Sequence, residues 1–514
     1  MPVISSRLAD TPCATLGVQG LLDQLNITLG TSHTLTRSLS SLLKECIANN
    51  YDFGMAYGRL RRIWYTRSWS TIRYILREWE KKDRKMRWKA LVGNRIVETR
   101  LPPRRVWDLY SNRVVPWWCT GITEHWTLRL RPISHAWMDE ENRVDVWTPI
   151  NGHEWPVPIP KDTSLKLIRI EMLNLQVEYT WLDVLCLRQV GGQQEDMRAE
   201  EWKLDVPTIG AVYHKAKVVW YLSGLGRPLS LKDGDLDSDR YWFRRAWTLQ
   251  EVGRARYRVI AGDTPHGPMH AKHKDGKYET ELLTRFHRQL QSGDDVAYGT
   301  IFDVLKEMQM RVSTNPVDKV AGLAFLLDSE MIPAYYESES LEDAWTALVN
   351  SMRAEIRGLL FMYPEPGNAG TKQWRPSWDQ LMTKPLPADH WYSDLNVGRK
   401  EEIGKDSCNA KCIEKGLVWG LAVVEGSSDR WGELIVQDAG GTEHTSNITA
   451  THQYPIPDDT YTLICAGSWL SQFCVVGRRL PGKRFEKVSV LQIPGKDEWR
   501  RLMNISEKCR YSLV

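Results

Sequence analysis

No stretch of the 514-residue chain approaches the ~18 consecutive apolar side chains that would mark a membrane-crossing helix. The opening MPVISSRLAD has neither a basic segment nor an apolar one behind it. These absences predict a cytoplasmic protein with no leader and no membrane span. Charge of one sign is also scarce, with 68 Lys and Arg against 64 Asp and Glu and a formal net charge of +4. Dedicated nucleic-acid binders carry an obvious basic excess, so nucleic acid is disfavoured as a partner. Neither common Gly-rich phosphate motif is present, because Gly191-Gly192 and Gly224-x-Gly226 read as turns. The nine cysteines are odd in number and scattered, which predicts reduced thiols and no disulfide framework. Cys408 and Cys412 could open a metal site, but no His/Cys pair of matching spacing follows, so no metal is expected. Phenylalanine is sparse at eight residues, whereas tryptophan reaches 24 and supplies large anchoring side chains to many segments.

The length allows roughly two to four domains of about 100–200 residues each. Residues 1–120 read as a helical region. Its main feature is a helix from Tyr65 to about Met86, in which Tyr65, Trp69, Ile72, Leu76 and Trp79 form one apolar stripe and the opposite side is basic. Trp107 to Trp118 reads as an aromatic-rich connector. Residues 121–265 alternate between strand and helix patterns. The expected strands are Trp126–Ile133, Trp181–Gln189, Lys217–Ser223 and a short one around Val259. Asp162 or Thr163 is expected to cap the helix between the first two, and Pro207 to kink or split the helical stretch 195–213. This order predicts an α/β fold with a mainly parallel sheet and helices on both faces. Ligands in such sheets bind beyond the carboxyl ends of the strands, here Ser134 to Trp137, Asp183 to Arg188 and Ser223-Gly224. A His-rich stretch with His266, His270 and His273 reads as a surface loop. Residues 266–365 read as a helical extension, and 366–514 as an antiparallel β domain.

The chain is organised around SDRYWFRRAWTLQEVGRARYRVIAG, residues 238–262. Ser238 can cap a helix in which Trp242, Ala246, Leu249 and Gly253 form the buried stripe. Arg244, Trp247 and Glu251 then share a second face at i, i+3 and i+7. Alone, that triplet more often marks a structural ion pair than a site. The segments ahead of it change the reading.

ISHAW at 133–137, WLDVLCLRQ at 181–189, IGAVYHKAKVVWYLSG at 209–224 and FRRAWTLQE at 243–251 occur in order over about 130 residues, followed by TNPVDKVAGLAFLL and WRPSW at 374–378. In this order they resemble the fungal heterokaryon-incompatibility domain, in the extended form found in mushroom-type fungi. His135 stands where that family usually has Tyr, Met138 where Gly is common and Arg188 where Asn is common. The family is distantly similar to Toll/interleukin-1 receptor domains, some of which cleave NAD with a glutamate on a helix motif that Trp247-Thr248-Leu249-Gln250-Glu251 matches, Thr248 replacing Cys. The resemblance implies a flavodoxin-like sheet and a non-self recognition effector that triggers cell death.

If NAD is the substrate, with no resident cofactor, Glu251 would stabilise the oxocarbenium-like transition state and Trp247 would stack on the ligand. Arg188 or Arg244 would meet the diphosphate, and Ser134, His135, Trp137 and Asp183 would orient the ligand from the strand ends. The alternative is a non-enzymatic signalling module acting by self-association, with the same helix face as an interface anchored by Trp247 and Arg244. Expected partners are thus a nucleotide and either a second copy or another immune-type protein.

Overall fold

The computed structural model describes residues 1–65, 69–252, 257–260, 278, 280–296, 299–327, 329, 331–370, 372–387, 394–422, 429–466 and 472–514, with backbone alone for 252, 257–260 and 291–296. Gly253 and the three loop histidines fall outside the described residues. The chain divides into two compact units. The first comprises Met1–Ala297, Arg311–Leu326 and Met331–Ser338, and the second Tyr298–Met310, Leu327–Glu330 and Glu339–Val514. The helical stretch 266–365 is therefore shared between them.

The first unit opens with helices α1 (Cys13–Leu29), α2 (Arg37–Ala48), α3 (Phe53–Leu60) and α4 (Trp69–Ala90). Thr36 and Asp52 cap the second and third by accepting from the backbone N–H groups of Leu39 and Met55. Leu39, Leu42, Leu43 and Cys46 form the buried stripe of α2 and join Leu21, Leu25, Phe53 and Trp64 in one apolar cluster. The charged groups under this cluster are paired. Arg61 takes Asp108 bidentately at 2.9 Å, and Arg113 reaches Asp52 at 2.7 Å and Asp10 at 2.6 Å.

Asp108 and Arg113 lie on strands β1 (Arg105–Asp108) and β2 (Arg113–Pro116), where the sequence suggested a connector. These two join β3 (Leu130–His135), β4 (Tyr179–Trp181), β5 (Lys217–Tyr221) and β6 (Tyr257–Ile260) in a six-stranded sheet of order β6-β5-β3-β4-β1-β2. Neighbours from β6 to β4 run parallel, and β4/β1 and β1/β2 run antiparallel. The architecture is mixed α/β, and the four parallel strands, counted along the chain, lie in the order 4-3-1-2. Val218, Val219, Trp220 and Tyr221 are all buried, as expected of a parallel strand covered on both sides.

Two expected strands are shorter than their apolar runs. Trp126–Arg129 is a helical turn that precedes β3, and WLDVLCLRQ holds only the end of β4 before turning into a short helix, Asp183–Cys186. The second is a buried apolar run of a length that fits either state, and the turn wins where Asp183 can accept from the Val184 N–H at 2.8 Å, whereas no residue of Trp126–Arg129 is buried. Ser164, rather than Asp162 or Thr163, caps the helix Leu165–Asn174. Pro207 does separate two helices, Glu195–Asp205 and Ile209–Tyr213.

The second unit combines helices with a sheet of eight strands among the described residues. Its long strands are Lys405–Trp419, Asp429–Gln437, Glu443–Thr451, Asp459–Cys465, Phe473–Leu480 and Arg484–Gln492. They pair antiparallel. Cys465 and Cys474 face each other across one of these pairs and form a disulfide, which corrects the expectation of reduced thiols throughout. The sequence could not show it, because strand register brings together two residues nine apart in the chain. Cys408 and Cys412 stand four residues apart on one strand, where a rise of roughly 3.3 Å per residue keeps them from sharing an ion. Among the described residues no group of three or more His, Cys, Asp or Glu is placed to hold a metal, and no helix is long and apolar enough to cross a membrane.

Candidate functional site

In a sheet of this order the connections leave in opposite directions on either side of β3, so its carboxyl tip is the topological switch point. Ser134 and His135 occupy that tip, in register with Trp220 and Tyr221 of β5. Both are buried. Asp183 enters from just beyond β4, and its carboxylate meets His135 Nε2 at 2.8 Å.

The helix expected from Ser238 is interrupted. Trp242–Arg244 forms a single 3₁₀ turn, Arg245 is extended, and the helix proper is only α9, Thr248–Val252. The cause is tertiary. The Val312 N–H donates to the Arg244 carbonyl at 2.6 Å, and the Ala246 N–H donates to the Val312 carbonyl at 2.9 Å, so a returning segment takes the groups that a helix would have used. The Thr248 hydroxyl donates to the Trp242 carbonyl at 2.6 Å and accepts from Arg311 Nη1 at 2.8 Å, which starts α9 in a new direction.

Arg244, Trp247 and Glu251 therefore do not share a face. Arg244 pairs with Asp239 at 3.2 Å. Trp247 lies near Tyr335, with ring centroids 6.4 Å apart, and hydrogen-bonds Asp318. Glu251 turns inward to β3, where Ser134 Oγ donates to Glu251 Oε2 and accepts from Trp242 Nε1 at 2.7 Å. Trp242 in turn stacks on Trp220 at 4.5 Å. Arg188 is held by Glu154 at 2.9 Å and Glu201 at 3.4 Å, over the Trp155 ring. The structure thus gathers Glu251, Ser134, His135, Asp183 and Trp137, which bonds Asp183, and keeps Trp247, Arg188 and Arg244 in other contacts.

Burial drives the Glu251 carboxyl up to about 8, with Asp183 pushing the same way and Ser134, His135 and Arg311 pulling back. For His135, burial disfavours the imidazolium, yet the charge and hydrogen bond of Asp183 outweigh it and raise its value. Asp183, despite its own burial, is held below the usual range by His135 and by the Val184 N–H. The centre can hold an ion pair beside a protonated acid at neutral pH.

Sequence reasoning assigned Trp242 to a buried stripe and passed over Tyr213, Gln250 and Arg311. Tyr213 donates to the Ile133 carbonyl at 2.9 Å, and burial, with the charge of Glu251, keeps its phenol well above the ordinary value. Gln250 is 4% exposed, and among the described residues neither polar atom of its side-chain amide has a partner. Its place beside Glu251 was the signal available. A small pocket opens beyond the tip of β3, walled by His135, Trp137, Met138, Pro160 and Leu225. Comparison with protein-family models, curated proteins and solved structures finds no match to this chain.

Proposed function

We propose that the chain is a heterokaryon-incompatibility-type effector whose first unit, a Toll/interleukin-1-receptor-like α/β fold, cleaves NAD at the bond between nicotinamide and ribose. The observation that carries this reading is the carboxyl of Glu251 at the tip of β3, bonded to Ser134 and raised to about 8. The strand order 4-3-1-2 supports the fold assignment, since it is the order of flavodoxin-like sheets.

Nicotinamide leaves NAD from a cationic ring nitrogen and departs neutral, so no acid has to protonate it. The bond electrons go to the ring nitrogen, positive charge develops on the ribose, and water completes the substitution with loss of a proton. Glu251 is protonated in the free site at pH 7. A cationic ring brought beside it favours the carboxylate, which then stabilises the charge on the sugar. His135, whose protonated form Asp183 favours at the pocket wall, would give the ligand's phosphates a cation to meet.

The test is release of free nicotinamide by the purified full chain. Glu251→Gln preserves the shape of the side chain and should cost roughly a hundredfold or more in turnover. Turnover unchanged by this substitution removes Glu251 from the mechanism. A second reading is favoured by the fact that Ser134, Glu251 and Trp242 satisfy one another: such a closed polar network also suits a non-enzymatic module that signals by self-association. In that case wild type and Glu251→Gln both leave NAD intact, and wild-type mass by light scattering rises with concentration.

A further inference from the structure

Away from the strand tips, α2, α3 and α4 meet Trp118 around a second cavity of about 100 Å³. That is room for roughly three waters or one tetrahedral oxyanion. Five charged side chains line it: the guanidinium groups of Arg59, Arg73 and Arg77 and the carboxylates of Glu45 and Glu80. Both carboxylates are engaged. Glu45 holds Arg73 at 2.6 Å, and Glu80 holds Arg84 at 2.6 Å.

Arg59 forms no ion pair among the described residues, although Glu45 and Glu80 line the same cavity, and its direct contacts are neutral. It is half-buried, donates to the Tyr51 hydroxyl, bonds the Cys119 sulfur and lies over the rings of Tyr51 and Trp118 at 5.1 and 5.2 Å. Burial pushes the Cys119 thiol up to about 12, so it carries no charge at pH 7. Arg77 stands exposed at the rim, and among the described residues no carboxylate pairs with it or with Arg59. Proteins rarely leave a guanidinium half-buried without a counter-charge, and here a second one shares the same small cavity.

We propose that this cavity binds a phosphate monoester group, with Arg59 and Arg77 donating to its oxygens and Trp118 packing against whatever carries it. A guanidinium fork matches two oxygens of such a group, and the planar indole suits an organic substituent. The carrier is either a soluble phosphomonoester or a phosphorylated lipid headgroup. The second is accommodated by the outer side of α4, where Lys81 and Trp88 are largely exposed. The site stands independently of the chemistry at Glu251.

The full chain is titrated with inorganic phosphate by calorimetry at low salt, and in parallel floated with phosphatidylcholine vesicles with or without a phosphatidylinositol monophosphate. Saturable binding is expected in at least one arm, weakened about tenfold or more by Arg77→Ala, which removes an exposed side chain and leaves the fold intact. Arg77→Lys should recover part of the loss. Phosphate binding without vesicle binding identifies a soluble ester. Vesicle binding that requires the monoester headgroup and falls with Arg77→Ala identifies a lipid. Failure to saturate in both arms, vesicle binding indifferent to the headgroup without phosphate binding, or equal binding by wild type and Arg77→Ala overturns the proposal. Because the Arg59 side chain also packs, Arg59→Met is checked for native unfolding behaviour before its expected loss of binding is read.

Discussion

Glu251 ties the stability of the first unit to pH. Its carboxyl sits at about 8 when folded against an ordinary value of 4.5, so the folded state keeps a proton that the unfolded chain has lost. The associated stability is full below about pH 4.5 and is lost as pH rises through about 8. Relative to Glu251→Gln, the wild type should therefore weaken by on the order of a few kcal/mol between about pH 5 and pH 9, measured by urea unfolding. A constant difference across that range would show that the acid is not desolvated. The pair beside it behaves differently. His135 is raised and Asp183 lowered, so their pairing adds stability that is lost as pH rises through the histidine's value and also as pH falls through the aspartate's. Asp183→Asn should cost about 3–5 kcal/mol near pH 6, since it leaves the imidazole buried without its partner. Gln250 gives a prediction of opposite sign. Gln250→Met removes two unsatisfied buried polar atoms and should raise stability by about 1–2 kcal/mol. If the amide serves a ligand, the same change lowers turnover or binding.

At the scale of elements, what could be read from the sequence follows from where the information lies. The stripe of α4 and the β-branched run of β5 are local periodicities, and both elements form, although α4 runs from Trp69 to Ala90 rather than from Tyr65 to about Met86 and leaves Tyr65 exposed in the turn before it. The second unit was expected to be antiparallel β, and its long strands do pair antiparallel. The extended break at Arg245 is not local. It depends on Val312, 67 residues further along the chain, so the 3.6-residue spacing of Trp242, Ala246 and Leu249 suggested one continuous helix. The candidate site inherits this difference. Glu251, Ser134, His135 and Asp183 were legible because strand ends and a motif mark them. The separation of Trp247 from Glu251 depends on that distant contact. Close approaches of backbone are hidden in the same way. A Cβ at Gly358 would stand 1.7 Å from the Leu395 carbonyl oxygen, a backbone atom unable to step aside. Gly358→Ala should therefore destabilise the second unit by about 3 kcal/mol or more, visible as an early transition in thermal unfolding.

At the scale of the molecule, the first unit is knit from both ends of its sequence. Arg61 grips Asp108 and Arg113 grips Asp52, so the N-terminal helices are joined to the sheet edge through buried charges. A fragment of residues 121–265 lacks β1, β2 and these partners, although it contains the four motifs between residues 133 and 251 that carry the core of the resemblance. It should fail to give dispersed amide NMR signals, whereas a fragment of residues 1–338, which spans the whole unit, should give them. The bridge between Arg245 and Val312 also has a consequence in time. Translation proceeds from the amino end, and a nascent chain of 265 residues already holds all six strands of this sheet. It still lacks the returning segment that takes the Arg244 carbonyl and turns α9, with its acid, toward Ser134. On the ribosome the acid therefore stays out of place until some fifty further residues have emerged, and the polar cluster at the tip of β3 is incomplete in an unfinished copy of the protein.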